Sequence, residues 1–257
     1  MRNFFRRLIP ARVQKDVPVI PKTQARIPDA TRVYAIGDVH GRLDLLVDII
    51  ERIGAHEQKY PIAQSITIFL GDLVDRGLHS RGVIDCLLTE QQRRRVLFIA
   101  GNHEDYMLRT ITNPKLAQRW MDAGGRETLF SYDIVVPSKL DQFAAQAIVG
   151  DARVKIPKNH IDFLRSFSRY AVIGGYAFVH AGIRPGVALE DQSFADLTTI
   201  REPFLDYRKP HEYMIVHGHT PTDMPDFRPN RINIDTGAYI TGKLSCLVLE
   251  GGERFIL

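Results

Sequence analysis

Cysteine is scarce in this chain: Cys86 and Cys246 are the only two among 257 residues. Two thiols so far apart exclude a disulfide framework and the paired spacing of a zinc-thiolate site, which leaves a reducing, cytoplasmic setting as the expectation. Long apolar runs are also missing, so no segment reaches the ~20 residues of a membrane helix. Charges interrupt the start, MRNFFRRLIPARVQKDVPVIPKTQ, where a secretion signal needs an apolar core. The formal charge of +4 is carried largely by Arg2, Arg6, Arg7 and Arg12 and by Arg93–Arg95. Such local clusters do not make a broad basic surface, and no nucleic-acid partner is expected. Residues 1–30, with prolines at 10, 18, 21 and 28, read as a flexible basic arm. Phe4, Phe5, Leu8 and Ile9 among its arginines offer a weak membrane-surface contact as the alternative reading. Internal repeats and low-complexity segments are absent.

What is present from residue 31 to 257 is an ordinary globular composition, 44% apolar and 25% charged over the chain. Short β-rich runs recur: RVYAI (32–36), SITIFL (65–70), RVLFIA (95–100), YAVI (170–173), YAFV (176–179), YMIV (213–216), RINI (231–234) and LSCLVL (244–249). Between them, 42–53 places Leu43, Leu46, Ile50 and Ile53 on one helical stripe, and 80–92 is similar with Ser80 as a candidate cap. Ile173-Gly174-Gly175-Tyr176 reads as a tight hairpin. The less periodic stretch 113–169 is expected to supply helices that cover the sheet or frame a cleft. Strands alternating with helices predict an α/β protein.

Each of several runs ends in a polar cluster: Asp38 and His40, Asp72, Asn102 and His103, His180, His219. Loops at the carboxyl ends of strands are where α/β sheets place ligands. An isolated Gly-Asp-x-His-Gly is equally a capped turn, but five such clusters in series point to one convergent site. Carboxylates, an amide oxygen and imidazoles without thiolate suit manganese, iron or zinc. So many ligands fit two ions sharing a bridging carboxylate, the recurring device for phosphate ester hydrolysis. In MIVHGHTP (214–221), His217 and His219 are two apart, and an extended chain points both the same way.

GDVHG (37–41), GDLVDRG (71–77), GNHE (101–104), HAG (180–182) and GHT (218–220) resemble the signature series of the PPP family of metallophosphoesterases, the serine/threonine protein phosphatases. The resemblance spans about residue 32 to the C-terminus and is closest to compact bacterial and phage members. It implies a β-sandwich of two mixed sheets flanked by helices, with 31–257 as the catalytic domain. It implies that Asp38 and His40 hold a first metal, that Asp72 bridges, and that Asn102, His180 and His219 complete the second site. His103 matches the general acid and Asp75 the carboxylate that orients it. Arg76, with Arg201 in TTIREPF and Asn102, would bind the substrate phosphate. The implied reaction is attack by a metal-bridging hydroxide with no phosphoenzyme intermediate, on a phosphorylated protein or a small phosphoester. The alternative substrate is a dinucleoside polyphosphate of the diadenosine tetraphosphate type, and Asp75, Glu104 and Thr220 favour the phosphatase branch. A non-enzymatic metal-binding scaffold has no use for His103 with Asp75 or for Arg76.

Other residues carry plainer expectations. Cys86 and Cys246 pack. His56, His79, His160 and His211 are surface histidines, of which His79 lies nearest the Asp75-Arg76-Gly77 turn. Arg93–Arg95 meet a helix dipole. Asp235-Thr236-Gly237 caps or lines the site, and Trp120 and Gly124-Gly125-Arg126 wall the cleft. Pro221 occupies a position where the wider group often has a further histidine. His217, before His219 rather than after it, is expected to support a ligand, line the cleft or simply pack.

Overall fold

The computed structural model describes residues 25–257. In β1 (Thr31–Ile36) successive side chains face opposite ways. Val33 and Ala35 enter one apolar cluster and Tyr34 and Ile36 another. That alternation makes β1 the centre of a five-stranded sheet. It pairs with β2 (Gln64–Phe69) in parallel and with β9 (Cys246–Glu250) antiparallel; β3 (Val96–Phe98) adds to β2 in parallel and β10 (Glu253–Ile256) to β9 antiparallel, in the order β10-β9-β1-β2-β3.

The second sheet runs β4 (Ala171–Ile173), β5 (Tyr176–Phe178), β6 (Met214–His217), β8 (Arg231–Asn233) and β7 (Asp226–Phe227). It is mixed as well, with β5, β6 and β8 parallel. Val33, Ala35, Ile66, Ile68 and Leu247 of the first sheet pack with Phe178, Val216 and Ile232 of the second. The two sheets therefore form a sandwich, in agreement with the expected architecture.

Helices cover the outer faces. α1 (Leu43–Lys59) buries Leu46, Ile49 and Ile53, and α2 (Ser80–Arg93) buries Val83, Ile84 and Leu87, against Tyr34, Ile36 and Phe69. Each fully buried aliphatic side chain contributes roughly 1.5–3 kcal/mol. α3 (Asn102–Thr112), α4 (Ala117–Trp120), α5 (Arg126–Ser131), α6 (Gln142–Lys155) and α7 (Lys158–Arg165) extend this layer. α8 (Phe194–Thr199) packs Leu197 with Val179, Phe204 and Ile215 over the second sheet, and α9 (Ala238–Thr241) follows β8.

Several details differ from expectation. Residues 1–24 of the arm lie outside the described residues, but Ala25 and Ile27 are buried with the sandwich core. Ile27 N–H donates to Gly251 O and Gly175 N–H to Arg26 O, so this stretch is laced between two hairpins. Ser80 does not cap α2; its hydroxyl is buried and accepts from the Asp75 N–H at 3.1 Å. His160 and His211 are buried rather than on the surface, because His160 bonds Tyr132 Oη at 2.8 Å and pairs with Asp85, while His211 stacks on Tyr207. His79 is exposed as expected.

Candidate metal centre and active site

Six strand ends meet at one rim of the sandwich. Asp38 follows β1, Asp72 follows β2, Asn102 and His103 open α3 after β3, and His180, His219 and Asp235 follow β5, β6 and β8. Backbone bonds tie these loops together: Val39 and His40 N–H donate to Asp72 O, Gly218 N–H to His180 O, and Ile234 N–H to His217 O.

Three imidazoles face one carboxylate oxygen. Asp72 Oδ2 lies 3.6 Å from His40 Nε2, 3.7 Å from His103 Nε2 and 3.4 Å from His180 Nε2. Two clusters result, His40-Asp72-His103 and Asp72-His180-His219, each with its ligand atoms within 4.8 Å of one another. Asp72 belongs to both, as a bridging ligand must. Asn102 Oδ1 joins the second, 3.1 Å from His180 Nε2. Asp38 also reaches the site, but its oxygens accept from the His219 N–H at 3.1 and 3.3 Å, and the first cluster contains His103 in its place.

The ring nitrogens are oriented by their other bonds. His40 Nδ1 donates to Val74 O at 2.9 Å and His180 Nδ1 to Leu70 O at 2.8 Å, which leaves both Nε2 atoms facing Asp72. His103 Nδ1 is 2.7 Å from Asp75 Oδ2, and Arg76 Nη2 is 3.2 Å from His103 Nε2. Arg76 also lies over the Tyr239 ring, 4.5 Å from its centroid. Arg201 is exposed on the His219 side, where its charge acts on that imidazole. His217 is fully buried away from the clusters, with Nδ1 on Gly218 O at 3.1 Å and its ring edge on Phe204.

A sequence model of the calcineurin-like phosphoesterase family matches residues 31–246. The chain belongs to this family. Curated relatives include the bis(5'-nucleosyl)-tetraphosphatase PrpE (asymmetrical) of Anoxybacillus flavithermus, 27% identical over 234 residues, covering 82% of this chain and 88% of the relative. The protein of that name from Bacillus mycoides is 29% identical over 230 residues, with the same coverage of 82% and 88%. Among solved structures, a putative diadenosine tetraphosphatase superposes with a TM-score of 0.61 at 20% identity, covering 93% of this chain and 95% of that one. A cold-active protein tyrosine phosphatase gives 0.52 at 17% identity, over 95% and 85%. These two likenesses concern the fold. Family and relatives together make this calcineurin-like protein a phosphoester hydrolase.

Its donor set fits divalent cations. Asp38, Asp72, Glu104 and Asp235 are each at most 2% exposed. Burial, then Asp235, holds the Asp38 carboxyl well above the usual carboxylate range. Burial, then Asp72, pushes Glu104 up to about 7, and burial raises Asp235 to about 6. Burial would raise Asp72 too, but His180, His103 and His40 hold it well below the usual range. Burial lowers His40 and His219 to about 3, keeping them neutral, as ligation requires. So many buried carboxylates opposing one another call for positive charge in their midst. Family and clusters point to a dinuclear divalent site, and among the described residues no helix is long and apolar enough to cross a membrane.

Several residues at the site had no assigned chemistry in the sequence. Glu104 accepts from the N–H groups of Asp72, Leu73, Val74 and Gly101 and so clasps the Asp72 loop. Trp120 and Thr128 bond Asp75, and Tyr239 lies against Arg76 and His40. The lone tryptophan is expected to wall the cleft, but nothing in its local sequence signals a carboxylate partner. Among the described residues, five of the seven positive-φ residues other than glycine are expected site residues: His40, Asp72, Asp75, Arg76 and His219. Such conformations gather where function overrides local preference.

Proposed function

We propose that this metallophosphoesterase hydrolyses phosphomonoesters, with phosphoserine or phosphothreonine in proteins as substrate. The observation that carries the reading is the His103–Asp75 pair, buried and bonded at 2.7 Å. Asp38, His40 and Asp72 would hold one ion, and Asp72, Asn102, His180 and His219 the other. Manganese suits this oxygen and nitrogen set, with iron or zinc as substitutes. Bound together, two such ions lower the pKa of a shared water and offset charge on the phosphoryl oxygens.

The chain's own residues do the rest. Arg76 and Arg201, with the Asn102 amide, bind phosphoryl oxygens, and a planar guanidinium can make two parallel bonds to them. Burial opposes charge on His103, but Asp72 and the bonded Asp75 outweigh it and raise its pKa, so the ring carries a proton to give. Asp75 fixes Nδ1, which directs the proton on Nε2 toward the departing oxygen. Such a donor matters most when the leaving oxygen is strongly basic. A serine or threonine alkoxide is; a nucleotide phosphate, with a second pKa of about 6, leaves readily without it.

A second reading, cleavage of dinucleoside tetraphosphates, is favoured by the printed activity of the PrpE relatives. The test compares a phosphothreonine peptide, a phosphotyrosine peptide and diadenosine tetraphosphate with manganese-loaded protein, wild type and His103→Asn. The expected result is preference for the phosphothreonine peptide and a loss of about 10²–10⁴ in kcat in the variant, with metal still bound. Preferential cleavage of the anhydride overturns the substrate choice, and equal rates in the two proteins overturn the proton donor.

A further inference from the structure

Asp75 has no exposed surface, and its two oxygens are held from three sides. Trp120 Nε1 donates to both oxygens at 3.0 Å, Thr128 Oγ1 donates to Oδ1 at 2.6 Å, and His103 Nδ1 lies 2.7 Å from Oδ2. The Asp75 N–H in turn donates to Thr128 Oγ1 at 2.8 Å, and Ser80 Oγ lies 3.0 Å from the same hydroxyl. One threonine hydroxyl thus gives its hydrogen to the carboxylate and accepts from that residue's own backbone, and the Ser80 hydroxyl faces its remaining lone pair.

The segment carrying Trp120 and Thr128 also grips Arg76. Arg76 N–H donates to Gly124 O at 3.0 Å, and Gly124 sits at φ +110°, where a Cβ would come within 2.7 Å of Arg76 Cγ. Gly125 makes room for the indole, since a Cβ there would lie 2.7 Å from Trp120 Cε2. The break at Gly124 between α4 and α5 is therefore shaped around two adjacent residues of the Asp72 loop.

We infer that Trp120 and Thr128 are positioning residues for proton delivery, acting through Asp75 on His103. This rests on the reading of His103 as proton donor. Without the indole N–H the carboxylate can rotate about χ2, and the imidazole loses the constraint that aims Nε2. Neither residue touches the metal clusters. Their loss should fall on the step that needs a proton and spare the rest.

The test is a series of aryl phosphates, from nitrophenyl to phenyl phosphate, hydrolysed by the manganese-loaded wild type, Trp120→Phe and Thr128→Val. Wild-type rates should vary little with leaving group. Trp120→Phe should lose activity unevenly, about threefold on nitrophenyl and about a hundredfold on phenyl phosphate, mostly in kcat. Thr128→Val, nearly isosteric, should show the same skew and guards against a folding defect in the first variant. A uniform loss across the series, or none, in folded variants with normal manganese content overturns the inference while leaving the hydrolase reading intact. A wild type inactive on every ester overturns both.

Discussion

Adding one methyl group at Gly101 should displace the Asp72 carboxylate, which the two clusters share. Gly101 precedes α3 at φ −94°, an angle any residue adopts, so the substitution Gly101→Ala meets no conformational penalty of its own. The obstacle is steric: a Cβ there would lie 2.2 Å from Asp72 Oδ1, 2.5 Å from Asp72 N and 2.8 Å from Glu104 Oε2. Asp72 N is backbone, held by Glu104 at 2.9 Å, and cannot swing aside as a long side chain would. Forcing extra carbon into such packing costs about 1–3 kcal/mol. The relief available is movement of the Asp72 loop, which would take a shared ligand from both clusters. Gly150→Ala, inside α6 with nothing within 4 Å of its Cβ, is the control and should gain about 0.5–1 kcal/mol. Urea unfolding of the metal-free proteins measures the two costs, and manganese titration followed by calorimetry measures the site. Opposite signs for the two substitutions, with loss of tight manganese binding only at Gly101, are expected. Wild-type manganese affinity in Gly101→Ala would refute the reasoning.

Metal binding should expel protons. Burial opposes charge on His180, but Asp72, Asp38 and Glu104 raise its pKa to about 10, so the metal-free protein holds that proton throughout the neutral range. An ion needs the neutral ring, and affinity should weaken about tenfold per pH unit lowered between 9 and 7. Calorimetry in two buffers of different ionisation heat reads the release, and none at pH 7 refutes it. His219→Ala should lose one bound manganese by elemental analysis. His217→Ala should keep both and lose roughly 2–4 kcal/mol of stability from its buried site against Phe204; a manganese loss there would contradict its placement.

Much of the fold was legible because β-rich runs and helical stripes announced themselves, and because polar clusters followed the runs. Asp38, His40, Asp72, Asn102, His103, His180 and His219 do meet at one rim. Illegible were partners distant in sequence and chemically unremarkable in their own neighbourhoods. Trp120 and Thr128 stand 45 and 53 residues from Asp75. Their segment also loses helical periodicity at Gly124, where the chain turns left-handed. His160 and His211 read as surface residues because Asp85 and Tyr132, or Tyr207 and Phe204, become their neighbours only on folding. The two-residue β7 is too short for an alternation to show.

The left-handed conformations join these two kinds of residue. His40, Asp72, Asp75 and Arg76 adopt φ between 46° and 73°, each at some local cost. Such a loop persists only if its surroundings over-determine it. Asp72 is clasped through its N–H by Glu104, Asp75 is bonded at both its N–H and its carboxylate by Thr128, and Arg76 is fastened through its N–H to Gly124. None of Glu104, Thr128 and Gly124 is among the expected ligands or proton donors. The metal-facing residues therefore owe their aim to groups that carry no chemistry themselves, and the Gly101 and Trp120 substitutions separate the two: one moves a ligand while leaving Asp75 its bonds, the other releases Asp75 while leaving the ligands in place.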